Sequence, residues 1–226
     1  MISIQNLSKN FGTNQALKNI NIQFDEGKVY GIVGENGAGK TTLFRCIADL
    51  EKYDGQINSK LNPLKNYLGL LLTEPFFFAK ITGKEYVQFL CNARKKQISK
   101  IDDKNIFDLP LNQYAATYST GMKKKLALWA ILLQENQCFL LDEPFNGVDI
   151  HSNIIIVDLI HKLKALGKTV IISSHIFSTL SDTCDEIFLM KEGEIVKKVF
   201  SEDFNALELE MKEFTIGDKI EKLNLK

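Results

Sequence analysis

One segment limits the folds open to this chain more than any other, a glycine-rich run with the pattern G-x-x-x-x-G-K-[ST] at residues 34–41. An apolar run at residues 28–33 precedes it, and residues 41–50 that follow space their apolar side chains as on one face of a helix. Strand, glycine loop and helix form the context that a phosphate-binding P-loop requires. A dinucleotide-binding fold fits less well, because the glycines run G-x-x-G-x-G and a lysine follows them.

The residue types of this loop indicate its chemistry. Glycines let the backbone wrap closely around an anion because no Cβ intrudes, and the free N–H groups at a helix start point at phosphate oxygens. Lys40 is predicted to reach the β- and γ-phosphates, and the Thr41 hydroxyl to ligate Mg²⁺. The segment therefore predicts a nucleoside triphosphate site. Its residues are Gly34, Glu35, Asn36, Gly37, Ala38, Gly39, Lys40, Thr41 and Thr42.

The composition favours a cytosolic protein without a nucleic-acid partner. The 226 residues carry 28 Lys+Arg and 28 Asp+Glu, so the basic excess of a nucleic-acid binder is missing. The four cysteines form no C-x-x-C pair, which argues against zinc, and reduced cysteines fit the cytosol. No signal peptide is predicted. Apolar stretches such as residues 126–134 are far shorter than the roughly 18 residues that span a bilayer.

Two carboxylates follow a second apolar run, at residues 138–141. Asp142, at the predicted strand end, can hold Mg²⁺ through water. Glu143 can orient and deprotonate an attacking water. An Asp-Glu pair at a strand end is common by itself, but the Mg²⁺ of a P-loop needs such a second carboxylate.

The order of the elements predicts an α/β fold with a mixed, mainly parallel sheet and an early antiparallel β piece. Residues 76–133 look almost wholly helical, and a further helix is predicted at residues 176–184. We expect a single domain over residues 1–226. Its predicted parts are a core at 1–75 and 134–200, a helical insertion at 76–133, and a charged tail at 201–226 with one short helix and a frayed end.

Several motifs resemble those of the ATP-binding cassette (ABC) ATPases and occur in that family's order over residues 1 to about 200. Ser119-Thr120-Gly121-Met122 looks like the signature motif, which lies just upstream of Asp142-Glu143-Pro144. Asn146-Gly147-Val148-Asp149 looks like the D-loop, and Ser173-Ser174-His175 like the switch histidine. Phe11-Gly12 matches the aromatic position that stacks on adenine.

The resemblance implies the P-loop NTPase fold of ABC ATPases, ATP and Mg²⁺ as ligands, and a role for each matching residue. Phe11 would stack on adenine, Asp142 would support Mg²⁺, and Lys40, Glu143 and His175 would be catalytic, with Glu143 as general base and His175 on the γ-phosphate. ABC domains sandwich two ATP molecules in a head-to-tail dimer. The γ-phosphate bound by the other subunit would therefore contact Ser119 and Gly121.

Two positions depart from the family pattern. The signature commonly reads Leu-Ser-Gly-Gly-Gln, whereas this chain has Tyr118 to Met122 with Thr120 in place of the first glycine. The family's Q-loop glutamine, a Mg²⁺ contact, aligns with Thr73, which Glu74 follows. Neither residue supplies a neutral amide oxygen, and both stay candidates for metal contact. Drug- and peptide-exporter cassettes often vary at both places, so the chain is most similar to that type.

The resemblance implies an ATP-hydrolysing subunit, cytoplasmic and peripheral on the inner face of the membrane, that drives separate transmembrane subunits. Its dimer partner is a second copy or a different cassette. One alternative is a non-transport ABC ATPase acting on ribosomes, DNA or cofactor assembly, whose usual basic linkers or coiled coils are missing here. Another is a regulatory module that barely hydrolyses ATP, which the departure at Thr73 favours and Glu143 opposes.

Three adjacent aromatics, residues 76–78, cannot all face one core, so at least one of them should be exposed. In the family this segment borders the groove that receives helices from the membrane subunit. We therefore predict a docking surface formed by Phe76, Phe77, Phe78 and the helix that starts at Thr82. Burial within the insertion is the alternative.

Four aromatic or imidazole side chains have structural interpretations. His151 and His161 are expected to be solvated or structural, because a lone histidine makes no metal site. Trp129 is expected in the core, and core packing remains an alternative for Phe11.

Overall fold

The computed structural model describes residues 1–216, which form two β-sheets and six α-helices. The strands are β1 (Ile2–Phe11), β2 (Asn14–Phe24), β3 (Val29–Val33), β4 (Asp54–Ser59), β5 (Leu68–Leu71), β6 (Cys138–Asp142), β7 (Thr169–Ser174), β8 (Glu186–Lys191) and β9 (Glu194–Phe200). The helices are α1 (Lys40–Ile47), α2 (Gly83–Ala93), α3 (Thr120–Leu133), α4 (Ile150–Ala165), α5 (Ser178–Ser181) and α6 (Phe204–Ile216).

The larger sheet has six strands in the order β5-β6-β7-β3-β8-β9. Its first five strands run parallel, and β9 pairs antiparallel with β8. Every residue of β3, β6 and β7 is buried, as expected for central strands covered on both faces. Successive side chains point to opposite faces, so Val29 and Val33 lie in one hydrophobic cluster and Tyr30 and Ile32 in the other.

The smaller sheet is antiparallel, with the order β2-β1-β4. Its inward side chains share one hydrophobic cluster with α1, represented by Leu7, Leu17 and Phe44. The other cluster holds the apolar sides of α2, α3 and α4, and Trp129 is buried within it as predicted. The predicted α/β class, with a mainly parallel sheet and an antiparallel piece, is confirmed.

The carboxyl ends of three parallel strands bring the predicted site together. In the strand register, Val33 pairs with Ser174, and Asp142 with Ser173. The P-loop, Asp142 and His175 therefore leave the sheet side by side, at the edge where open α/β sheets bind their ligands.

The prediction that residues 76–133 are almost wholly helical is wrong. Between α2 and α3 lie two short 3₁₀ turns, Ile101–Lys104 and Ala115–Thr117, joined by irregular chain. Lys95, Lys100 and Asp108 have positive φ angles of 56°, 51° and 49°, a conformation that a right-handed helix cannot contain.

Two further helix predictions need adjustment. The helix expected at residues 176–184 is the single turn α5, and hydroxyls nearby bond to the backbone instead: Thr179 Oγ1 donates to the Ile176 carbonyl at 2.7 Å. The short helix predicted in the tail at residues 201–226 is the 13-residue α6, and the frayed end predicted for the rest of the tail falls on residues 217–226, which lie outside the described residues.

Candidate active site

The glycine loop lies between β3 and α1 and encloses the Lys40 ammonium. Lys40 Nζ donates to the carbonyl oxygens of Gly34 at 2.7 Å and Glu35 at 3.1 Å. Gly39 is the N-cap of α1 with φ 107°, and a Cβ there would lie 2.7 Å from the Ala16 carbonyl oxygen. Any other residue would be both strained and crowded. Glycine at this position lets the loop approach β2 and leaves the N-terminus of α1 open to the cleft.

Asp142, at the end of β6, is fully buried and accepts hydrogen bonds from three hydroxyls. Thr41 Oγ1 donates to Oδ2 at 2.7 Å, and Thr73 Oγ1 donates to the same oxygen at 2.6 Å. Ser173 Oγ donates to Oδ1. A buried carboxylate needs such donors, because burying a charge without them is costly. Hydroxyl and carboxylate oxygens are also the ligands that Mg²⁺ prefers, so Asp142 and Thr41 suit that ion.

Glu143 is held from both its backbone and its side chain. Its φ angle is 51°, which is unusual for a residue other than glycine, and its N–H donates to the Ser173 carbonyl at 3.1 Å. Its Oε2 lies 2.8 Å from His175 Nδ1, and its Oε1 lies 3.7 Å from Lys40 Nζ. The three residues predicted to be catalytic are therefore neighbours.

One cleft of about 730 Å³ opens over these groups, a size typical of small-molecule sites. Phe11 lines it and is 46% exposed, which excludes plain core packing for this ring. Lys9 Nζ lies 4.5 Å from the ring centroid, a cation–π contact. The predicted site residues that line the cleft are Phe11, Asn36, Gly37, Gly39, Lys40, Thr41, Thr42, Thr73, Glu143 and His175.

The remaining predicted residues lie elsewhere. The carbonyl oxygens of Gly34 and Glu35 bind the Lys40 ammonium, and Ala38 is a buried residue of the loop. Glu74 is exposed, and within the described part of the chain it is not among the residues that line the cleft. His151 and His161 are exposed, as expected of solvated histidines.

Sequence reasoning missed part of the cleft wall. It is formed by Asn14, Gln15, Ala16, Lys18, Glu192 and Gly193, next to Asn146 of the D-loop-like segment. The β8–β9 turn is fixed there by two backbone hydrogen bonds, from Gly193 N to the Ala38 carbonyl at 3.0 Å and from Lys18 N to the Gly193 carbonyl at 2.8 Å. The sequence marks a turn at this place, but nothing local indicates that the turn reaches the P-loop.

The signature-like segment begins α3 away from this cleft. Ser119 is the N-cap, and its side chain accepts from Met122 N at 3.2 Å. A Cβ at Gly121 would lie 2.5 Å from the Gly147 carbonyl oxygen, so α3 closely approaches the D-loop-like segment. Among residues 1–210, Ser119 and Gly121 do not belong to the cleft wall.

The D-loop-like segment ends at Asp149, which caps α4. The Ser152 N–H donates to Asp149 Oδ1 at 2.9 Å, and Lys125 Nζ lies 3.0 Å from Oδ2. The hydrogen bonds from the Ser152 backbone and from Lys125 hold the pKa of this carboxyl well below its usual range. Asp149 therefore stays charged and ties α3 to α4.

A match to the ABC transporter family covers residues 17–146, which is more than half of the chain. The chain belongs to this family. The predicted resemblance is thereby confirmed. The chain is an ATP-binding cassette, and we refer to it below as the cassette.

Curated relatives of the cassette include ATP-binding proteins named for transport. It is 30% identical to the bacitracin transport ATP-binding protein BcrA of Enterococcus faecalis, over 96% of this chain and 75% of that protein. It is 29% identical to the lantibiotic transport ATP-binding protein SrtF of Streptococcus pyogenes, over 87% of this chain and 89% of that one.

Solved structures support the fold. A dimeric ATP-binding cassette in a post-hydrolysis state, bound to ADP and phosphate, superposes with a TM-score of 0.81 at 21% identity and covers 89% of this chain and 99% of its own. An ATP-binding subunit of an ABC transporter covers 99% of this chain and 98% of its own, with a TM-score of 0.78 at 22% identity. Within residues 1–216, the cassette has no helix with the length and apolar character of a membrane span.

Proposed function

We propose that this chain is the ATP-binding and ATP-hydrolysing subunit of an ABC transporter, driving transport through separate transmembrane subunits. The observation that carries the proposal is the meeting of Lys40, Asp142 and Glu143 at one sheet edge, over a cleft of nucleotide size. Membership in the ABC transporter family favours this function over the non-transport alternatives. The relatives named for bacitracin and lantibiotic transport support a system of the drug- and peptide-exporter type.

The cleft suits ATP from both ends. At one end, the exposed ring of Phe11 offers a stacking surface for adenine. At the other, the N–H groups of residues 34–42 and the Lys40 ammonium provide positive charge for the phosphates. The ammonium contacts carbonyls of the phosphate-binding loop itself, which keeps it beside the place where the phosphates would bind.

The hydroxyl cluster around Asp142 suits a magnesium ion. We assign Thr41 as a direct ligand and Asp142 as a support through water, with Thr73 next to them. When bound, the ion would neutralise charge on the β- and γ-phosphates. The neutral hydroxyl of Thr73 takes the place of the family's glutamine amide at this point.

In the proposed mechanism, Glu143 activates the attacking water. Its carboxylate accepts a proton from a water molecule as that oxygen bonds to the γ-phosphorus and the bond to ADP breaks, giving ADP and phosphate. His175 Nδ1, 2.8 Å from Oε2, orients the carboxylate from one side, and its exposed ring face is available to the γ-phosphate. Lys40 stabilises the transferred group from the other side.

The signature segment completes a site on a second cassette. Ser119 and Gly121 start a fourteen-residue helix, whose N-terminus is an anion site, and they lie away from this chain's own cleft. In a head-to-tail dimer they would contact the γ-phosphate held by the partner cassette. The absence of these groups from the cleft wall, within the described residues, agrees with this role.

An aromatic patch formed by Phe76, Phe78 and Phe89 suits the docking of a transmembrane subunit. These rings are 72%, 51% and 52% exposed and contact each other edge to face, at centroid distances of 5.3 and 6.0 Å. Phe77 instead packs on Tyr86 at 4.5 Å and belongs to the core side of the segment. The predicted docking surface is therefore assigned to the patch without Phe77.

We further propose that residues 1–226 act as one domain, in which residues 76–133 are an insertion that carries this patch. Docking through the patch would hold the cassette at the inner face of the membrane. The first ring of the patch, Phe76, lies three residues after Thr73, which donates to Asp142, so a short stretch of chain connects the docking surface to the Asp142 cluster.

Hydrolysis by the purified chain tests the proposal. We expect Mg²⁺-dependent release of phosphate from ATP, a loss of about a hundredfold or more in Glu143→Gln, and retained ATP binding in that variant. Lys40→Ala should lose ATP binding. If Glu143→Gln hydrolysed ATP at the normal rate, Glu143 would not be the base. A wild-type chain that neither binds nor hydrolyses ATP would overturn the proposed function.

A further inference from the structure

Lys124 is a buried lysine to which the proposed mechanism assigns no role. It lies on α3, five residues after the Ser119 N-cap, and only 2% of it is exposed. Burial lowers the pKa of this ammonium, whereas the nearby Glu143 and Asp142 carboxylates act in the opposite direction. A buried ammonium must be matched by hydrogen-bond acceptors, or its burial costs free energy.

The partners of Lys124 are backbone carbonyls of the segment that follows β6. Its Nζ donates to the Glu143 carbonyl oxygen at 2.7 Å and to the Asn146 carbonyl oxygen at 2.9 Å. The first of these belongs to the proposed general base, and the second to a residue of the cleft wall. The ammonium therefore holds the backbone of the catalytic segment, and within the described residues Lys124 does not itself line the cleft.

The hydrogen bond from Lys124 to the Glu143 carbonyl helps to set the direction in which the Glu143 side chain points. Glu143 has a φ angle of 51°, a conformation that a glutamate keeps only when its surroundings hold it. Ser173 holds its N–H on one side, at 3.1 Å, and Lys124 holds its C=O on the other. With both peptide groups fixed, the carboxylate points to His175 and Lys40.

Lys124 also connects the general base to the signature segment, because its helix, α3, begins at that segment. The same helix begins at Ser119 and Gly121, the groups proposed to contact the partner's ATP, and Gly121 allows its close approach to Gly147. A rigid helix connects that end to the Lys124 hydrogen bonds within two turns. A shift of α3 on dimer closure would therefore move the backbone of Glu143 directly.

We propose that Lys124 is a positioning residue for the general base. Its ammonium holds the Glu143 backbone in the geometry that hydrolysis requires, and it connects that geometry to the helix that faces the partner cassette. The inference rests on the proposed ATPase function. A lysine with a purely structural role would stabilise the fold and leave the turnover of the folded protein unchanged.

The test compares Lys124→Met with wild type and with Lys123→Met, a neighbouring and more accessible lysine on the same helix. Methionine keeps most of the side-chain volume and removes the donors. We expect kcat for ATP to fall by about tenfold or more, with KM within about twofold, because ground-state binding is unaffected. Lys123→Met should keep the wild-type kcat. Lys124→Gln, which restores two N–H donors, should recover part of the loss.

A double-mutant comparison isolates the route through Glu143. In the Glu143→Gln background, Lys124→Met should lower the residual turnover by less than about twofold, because the group that it positions is gone. Equal losses in both backgrounds would overturn the inference, as would a folded Lys124→Met with normal kcat. If Lys124→Met fails to fold in a thermal melt, Lys124→Leu, which also removes the donors, decides by the same kcat criterion. A wild type without ATPase activity would overturn the proposed function and this inference together.

Discussion

At the scale of single residues, the site combines groups that the sequence identifies with groups that it cannot. The P-loop and the Asp142-Glu143 pair are recognisable because each has a local pattern and a strand beside it. The hydrogen bond between Thr73 and Asp142 joins residues 69 positions apart, and only the pairing of β5 with β6 brings them together. Lys124 could have been found, because it shares an apolar helix stripe with Leu128 and Ile131.

Thr73 gives the first prediction. Thr73→Val keeps the shape of the side chain but removes one of three hydroxyl donors to the buried Asp142 carboxylate. We expect the free energy of unfolding at pH 7 to fall by about 1–3 kcal/mol, as for a lost hydrogen bond to a charged group. Thr73→Ser retains the hydroxyl and is the matched control. Urea unfolding of both variants checks this, and equal stabilities of the two would contradict it.

At the scale of elements, apolar runs and capping residues in the sequence predict the strands and helices whose positions depend on local sequence alone. The buried strands β3, β6 and β7 are continuous apolar runs, and α2 starts with a capping box in which Thr82 and Glu85 bond reciprocally. The chain between α2 and α3 misled the prediction. Its apolar side chains Phe107, Leu109 and Leu111 are buried without a helix, because tertiary packing orders them.

The aromatic patch is tested at this scale. Phe78 lies at its centre, between Phe76 and Phe89, and its replacement by serine removes both ring contacts. We expect Phe78→Ser to weaken association with the transmembrane subunit of its transport system by about tenfold or more, the effect of losing a central aromatic anchor. ATPase activity of the isolated cassette should stay within about twofold.

Co-purification of the cassette with that transmembrane subunit is the measurement. Phe200→Ser is the control, because Phe200 is an aromatic residue of comparable exposure, 46%, outside the patch. It lies on β9, an edge strand of the large sheet. Unchanged recovery of the membrane partner with Phe78→Ser, or an equal loss with Phe200→Ser, would count against the patch as the docking surface.

At the scale of the whole molecule, two hydrophobic clusters on opposite faces of the large sheet enclose all four cysteines. Burial raises the pKa of Cys46 and Cys91 to about 11, and of Cys138 and Cys184 to about 12. The folded state therefore favours the neutral thiol. The unfolded chain releases these protons first, so this contribution to stability is present below about pH 9 and is lost as pH rises toward 11 and 12.

Two measurements follow from these raised pKa values. At pH 8 a thiol reagent should leave the folded protein essentially unlabelled and should label four cysteines in denaturant, because the thiolate is the reactive form. The urea midpoint should decline between about pH 9 and 11, since the unfolded chain loses thiol protons there. Rapid labelling of the folded protein would show that these thiols are not enclosed by the two clusters.

ATP-dependent pairing of two cassettes tests the central claim most directly, because it needs the P-loop of one chain and the signature helix of another. Size-exclusion chromatography of Glu143→Gln should show a 25.6 kDa monomer without nucleotide and a species of twice that mass with ATP. The same variant with Lys40→Ala should stay monomeric, because phosphate binding is lost. With a second copy of this chain as the partner cassette, a Glu143→Gln protein that binds ATP and remains at 25.6 kDa would contradict the account.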